Sequence, residues 1–154
     1  MMEDCVFCKI IAGELPSHRI FEDDRHLAFL SIFPNTDGFA VVTTKEHLPS
    51  DAFSNEDAVL QNLIVVTKKV ARGLVEAFED VGRCGMIVEG FGVDHLHFKL
   101  VPMHGTASMT EWKPIESKQP QFFHTYPGFL SSQEGTRADD EKLAEFAKQI
   151  RALI

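Results

Sequence analysis

Asp94-His95-Leu96-His97-Phe98-Lys99-Leu100-Val101-Pro102 is the stretch whose reading decides the fold of this 154-residue chain. Successive side chains of an extended strand point to opposite faces, with roughly 7 Å between same-side neighbours. His95, His97 and Lys99 therefore make one polar row, and Leu96, Phe98 and Leu100 make an apolar row on the other face. The apolar row needs a core to cover it. Two imidazoles and a cation in line suit an anion, a metal or a moving proton; the plainer reading is the wet face of a half-buried strand.

Upstream, residues 5–12 read as a short helix ended by Gly13. Arg19–Glu22, His26–Leu30 and Gly38–Thr43 read as strands, parted by the turn signals Asp23-Asp24 and Pro34-Asn35-Thr36-Asp37-Gly38, which makes an antiparallel meander. Ser54 is the expected N-cap of one long helix, with Glu56 and Asp57 in its first turn. Val59, Leu60, Leu63, Ile64, Val70, Leu74, Val75 and Phe78 then recur at helical spacing, and the helix is expected to end near Asp80. Its Leu60-Leu63-Leu74 side should face the sheet. Val65, Val66 and Phe78 widen the apolar arc beyond one sheet face and predict a stripe left for a partner chain.

Gly85–Glu89 and His95–Val101 supply two further strands. After Pro102 the pattern weakens, and residues 103–137 read as an irregular wrapping segment. A terminal helix is expected from about Asp139, with Leu143, Phe146, Ala147, Ile150 and Leu153 on one face. The chain divides into a domain over 1–104 and a C-terminal extension over 105–154 packed on that same domain.

A 44% hydrophobic content with 13 Phe suits one globular domain with a sizeable core. No apolar run approaches the ~18 residues of a membrane span. The acidic start Met1–Cys5 lacks a signal-peptide core, so the cytoplasm is the default location. Fifteen basic against 23 acidic residues, a net charge of −8, argue against a nucleic-acid polymer as partner. A small phosphorylated ligand stays open, because a local site can be positive inside an acidic protein.

Three cysteines do not make a disulfide framework. Cys5-x-x-Cys8 offers two donors of a tetrahedral zinc site, and His47 and His95 are the best candidates for the other two. A redox pair would follow a strand in a βαβ pattern, whereas this one starts the chain; two plain thiols on a helix face are the remaining alternative. Cys84, near Gly82 and Gly85, reads as a small apolar residue. His97 is the candidate nucleophile: a neutral imidazole can attack phosphorus if its other nitrogen donates to a fixed carbonyl. Lys99 on the same face offers a point charge for phosphate oxygens, and with an ordinary pKa of ~10.4 it is a poor proton donor.

These motifs resemble the histidine-triad (HIT) family of nucleotide hydrolases and transferases, whose signature strand is His-φ-His-φ-His-φ-φ with φ apolar. Here it stands as His95-Leu96-His97-Phe98-Lys99-Leu100-Val101. The resemblance takes in Cys5 to Ser17, Ile20-Phe21-Glu22-Asp23-Asp24, Leu27-Ala28-Phe29 and Lys45-Glu46-His47, and covers about residues 5–104. The segment around Tyr126-Pro127-Gly128-Phe129 is similar to a bacterial branch labelled dinucleoside-polyphosphate hydrolase. The resemblance implies an α+β HIT-like fold, with about five antiparallel strands, one long helix and a C-terminal helix, and a homodimer.

Residue by residue, it implies His97 as nucleophile, with His95 as the neighbour whose backbone orients it. It implies Cys5, Cys8, His47 and His95 as ligands of a structural zinc ion, as in zinc-containing relatives such as the galactose-1-phosphate uridylyltransferase branch. Val6, Phe7, Ile10, Phe29 and Ile32 would surround a nucleobase. Four departures stand out. Lys99 replaces the third histidine, which contacts phosphate. Ser31 replaces an Asp that grips the ribose, Phe39 replaces a His, and Glu89-Gly90-Phe91-Gly92-Val93 lacks the usual Gln and the phosphate-binding Ser or Thr. The expected function is hydrolysis or nucleotidyl transfer at an α-phosphate through a nucleotidyl-histidine on His97, with a dinucleoside polyphosphate or nucleoside phosphoramidate as substrate. The alternative is a zinc-stabilised nucleotide- or sugar-phosphate-binding protein with little turnover, which Ser31, Phe39 and Lys99 favour.

Overall fold

A computed structural model describes residues 4–107 and 137–154. The period-two runs form strands β1 (His18–Glu22), β2 (His26–Leu30), β3 (Ala40–Thr44), β4 (Val81–Ile87) and β5 (His97–His104). The helical patterns form α1 (Val6–Ala12), α2 (Asp57–Ala77) and α3 (Asp140–Arg151). All pairings are antiparallel, in the order β1-β2-β3-β5-β4. The expected α+β architecture is the one found.

Side-chain parity divides the sheet into two unequal layers. Leu96, Phe98 and Leu100 join Leu30 and Val42 under Leu63, Val70 and Leu74 of α2 and Leu143, Ala147 and Ile150 of α3. The other face carries Leu27, Phe29 and Val41, covered by Phe7 and Ile10 of α1. Thr43 lies opposite His97, and Val41 opposite Lys99, so the polar row of β5 falls on this second, thinly covered face. A helix as short as α1 is marginal on its own. It ends at Gly13, whose φ of 78° lets its N–H return to the last carbonyls.

Several boundaries differ from expectation. His95 precedes β5, and β5 continues through Pro102 to His104. The proline is tolerated because the ladder to β3 ends at Leu100, so no strand waits on that side for its missing N–H. Ser54 is not the cap of α2: it closes a 3₁₀ turn, Ala52–Ser54, where Asp51 accepts from the Phe53 N–H at 3.1 Å. Glu56 caps α2, which ends at Ala77 because Phe78 is extended, with its ring against Phe146 and His104. Val66 and Phe78 pack into the chain's own core, while Val65 and Ile64 stay 67% and 40% exposed, so the free stripe is narrower than expected. β4 starts four residues early, at Val81, through an irregularity between Val81 and Cys84.

Asp139 caps α3 by accepting from the Lys142 N–H at 3.0 Å. Leu153, expected on its buried face, is 43% exposed. Among the described residues no helix is long and apolar enough to cross a membrane. Residues 108–136 of the wrapping segment, Tyr126-Pro127-Gly128-Phe129 among them, lie outside the described residues.

Candidate functional site

Three separated pieces of chain converge at one end of α1. Cys5 precedes the helix, Cys8 lies in its first turn, His47 follows β3 and His95 leads into β5. Their ligand atoms all lie within 4.8 Å of one another. Cys8 Sγ is 3.3 Å from His47 Nδ1 and 3.6 Å from His95 Nδ1, and Cys5 Sγ is 3.4 Å from His95 Nδ1. Zinc–sulfur and zinc–nitrogen bonds of ~2.3 and ~2.1 Å give a tetrahedral S···N edge of about 3.6 Å. The donor set and its spacing fit that ion. His95 Nε2–H donates to the Thr44 carbonyl at 2.8 Å, which leaves the Nδ1 lone pair turned to the sulfurs. Burial lowers the His95 pKa, against the opposing pull of that carbonyl, and favours the neutral ring a metal needs.

His97 stands two residues on, just inside β5. Its Nδ1–H donates to the His95 carbonyl at 2.7 Å, leaving the lone pair on Nε2. The ring is 2% exposed, and burial holds its pKa below the ordinary range, opposed by the carbonyl bond and assisted by Lys99. Phe7 packs edge-on to it, with centroids 5.3 Å apart, and also touches His95 at 5.9 Å. One α1 side chain thus joins the cysteine–histidine cluster to the imidazole.

Beside His97 opens an apolar cavity of about 240 Å³. Every residue expected around a base or sugar lines it: Val6, Phe7, Ile10, Phe29, Ser31 and Ile32, with His97 and Lys99 at the β5 end. Ser31 Oγ accepts from the Phe33 N–H at 3.1 Å. Phe39 is another lining residue. It is set by Gly38, whose φ of 80° and close approach to the Phe78 ring, 2.6 Å from where a Cβ would stand, exclude a side chain.

The structure gives Lys99 a partner that the sequence did not announce. Its ammonium is not an open point charge: it pairs with the Glu89 carboxylate, with side chains 15% and 10% exposed, and reaches the Phe91 carbonyl at 3.5 Å. The sequence puts Glu89 at the end of a strand and marks it for no site; β4 stops at Ile87, and Glu89 stands in the loop after it. Ile87 pairs with Lys99, so two residues on the chain returns beside the polar row of β5. Phe33, Phe91 and Val93 also line the cavity without having been singled out; no periodicity marks them. Asp94 holds the lead into His95 by accepting from the Ser50 N–H at 3.1 Å.

The sheet sets a fixed-tautomer imidazole at the end of an apolar cleft, beside a Cys₂His₂ cluster. A family model described as HIT domain matches residues 12–106, and the chain belongs to that family. It is 34% identical over 99 residues to an adenosine 5′-monophosphoramidase of Schizosaccharomyces pombe, covering 64% of this chain and 73% of that one. A HIT-like protein from Bartonella henselae shares the fold at TM-score 0.73 and 24% identity, over 100% of this chain and 98% of the other. A zinc-bound histidine-triad protein from Mycobacterium smegmatis does so at 0.67 and 24% identity, over 97% and 92%.

Proposed function

We propose that the chain hydrolyses nucleoside phosphoramidates, with His97 as nucleophile. The observation that carries this is the His97 imidazole, fixed by its Nδ1–H bond to the His95 carbonyl with Nε2 left unprotonated at the cavity. Nε2 attacks the α-phosphorus and the P–N bond breaks. The nitrogen leaves as an amine with a proton from solvent, and water then cleaves the nucleotidyl-histidine to release the nucleoside monophosphate and free imidazole. Val6, Phe7, Ile10, Phe29 and Ile32 hold the base, Ser31 faces the sugar, and Lys99 steadies charge on the phosphoryl oxygens. The kinship to a phosphoramidase supports the reaction class. The Glu89–Lys99 pair supports an amine leaving group over a polyphosphate, because the Glu89 charge offsets part of the attraction that Lys99 would offer a polyanion.

Cys5, Cys8, His47 and His95 would hold one zinc ion, whose contribution is to clamp α1 to the lead of β5. Cysteines outside any disulfide and kept for ligation suit a reducing, cytoplasmic setting. Residues 137–154 extend the same domain, since α3 shares its core. Exposed Val65 on α2 and Met86 on edge strand β4 support a homodimer, and a monomer on sedimentation at micromolar concentration would count against it.

The second reading, a nucleotide-binding protein with little turnover, is favoured by the same neutralised Lys99. Incubation with adenosine 5′-phosphoramidate, with His97→Ala as control, decides between them. Turnover lost in the variant supports the enzyme; wild-type binding without turnover supports the binder.

A further inference from the structure

Ser17 Oγ is shut off from solvent and has no hydrogen-bond partner, the one such side-chain oxygen or nitrogen among the described residues. A buried hydroxyl left in that state is costly and rare. It is also not in a random place. Ser17 lines the cavity that holds His97 at its other end.

Its place on the sheet follows from its neighbours. Arg19 lies opposite Phe29 and donates to the Ile10 carbonyl at 2.7 Å, so it points to the α1 face. Ser17, immediately before β1, lines the cavity on that same face. The pairing of His18 with Leu30 brings Ser17 beside Ser31. Three strand intervals, about 14 Å, separate β5 from β1. A ligand with its phosphorus at His97 therefore presents its far end to Ser17, not its reacting group.

We infer that Ser17 is the residue that reads the polar edge of the nucleobase. This rests on the reading of the cavity as a nucleotide site and deepens it. Apolar walls such as Phe29 and Ile10 accept any flat heterocycle, and an apolar slot discriminates poorly between bases of like shape. A single hydroxyl, both donor and acceptor, is enough to tell an exocyclic amine from a carbonyl or a hydrogen. The orphaned Oγ is satisfied when that edge arrives.

The test measures calorimetric binding of AMP, GMP, the 5′-monophosphate of purine riboside and 2′-deoxy-AMP to the wild type, Ser17→Ala and Ser17→Thr. Turnover of the matching phosphoramidates is measured alongside. Expected is a wild-type preference among bases that Ser17→Ala compresses by about five- to tenfold, the scale of one neutral hydrogen bond. Ser17→Thr should restore part of it, and the ribose-to-deoxyribose ratio should hold in all three proteins. An unchanged base preference overturns the assignment, and so does a change confined to the ribose-to-deoxyribose ratio. If the wild type binds no monophosphate, the nucleotide reading of the cavity falls and Ser17 falls with it. If it binds them with a preference that Ser17→Ala erases, yet turns over no phosphoramidate, the base-reading role stands and the hydrolase reading falls.

Discussion

Replacing Glu89 by glutamine removes the negative charge paired to Lys99 while keeping the shape of the side chain. Both side chains are largely buried, at 10% and 15% exposed, so their charges act through a medium less screening than water. A phosphate charge about 5 Å from the Glu89 carboxylate, at an effective dielectric of about 20, is repelled by about 3 kcal/mol. Solvent at the cavity mouth reduces this by about half. The remainder corresponds to roughly a tenfold to thirtyfold change in rate ratio. An amine leaving group carries no such charge, whereas the far side of a dinucleoside polyphosphate carries several. Glu89→Gln should therefore shift the kcat/KM ratio toward the polyphosphate by that factor in a competition assay resolved by chromatography. Glu89→Asp, which keeps the charge, should leave the ratio near wild type. A ratio unmoved by Glu89→Gln, or moved toward the phosphoramidate, would refute the electrostatic account of leaving-group choice.

Metal analysis of protein purified without chelator should find one zinc per chain. Stripping the ion should expose Phe7 and weaken nucleotide binding before the α2-side core unfolds; a metal-free protein, or a Cys5–Cys8 disulfide in material from reduced cells, rules the site out. Lys99→Ala should lose much of the turnover, and Lys99→His should retain a good part of it, as steady-state kinetics would show; full activity in Lys99→Ala removes the residue from the reaction. His104 donates from Nδ1 to Asp80 at 3.0 Å and from Nε2 to the Asp37 carbonyl at 3.0 Å, so both bonds together need the imidazolium. The carbonyl contact first, then the Asp80 carboxylate, raises its pKa against the opposing effect of burial. A raised folded-state pKa means the stabilisation is complete below the ordinary histidine range and lost as pH climbs through the raised value. His104→Gln should flatten that part of a Tm-against-pH curve, and an unchanged slope would remove the residue from the linkage.

What the sequence made legible follows from how local each signal is. The alternation in β5 is local, so Leu96 and Phe98 could be assigned to a core and His97 to the opposite face before any partner strand was known, and the structure puts that core under α2. The Cys5, Cys8, His47 and His95 set was legible for a different reason. Thiols and imidazoles are few in this chain, and tetrahedral ligation demands four of them together. Nothing comparable marks Glu89, one of 23 acidic residues. Its place beside Lys99 depends on the register of β4 against β5, which the irregularity between Val81 and Cys84 shifts in a way no local pattern announces. Ser17 is the extreme case: serine before a strand is ordinary, and only the folded chain reveals its hydroxyl as buried with no partner. The candidate site is thus written in short motifs. The groups that would choose the leaving group and the base are written in strand pairing, which is where substrate preference can change without disturbing His97.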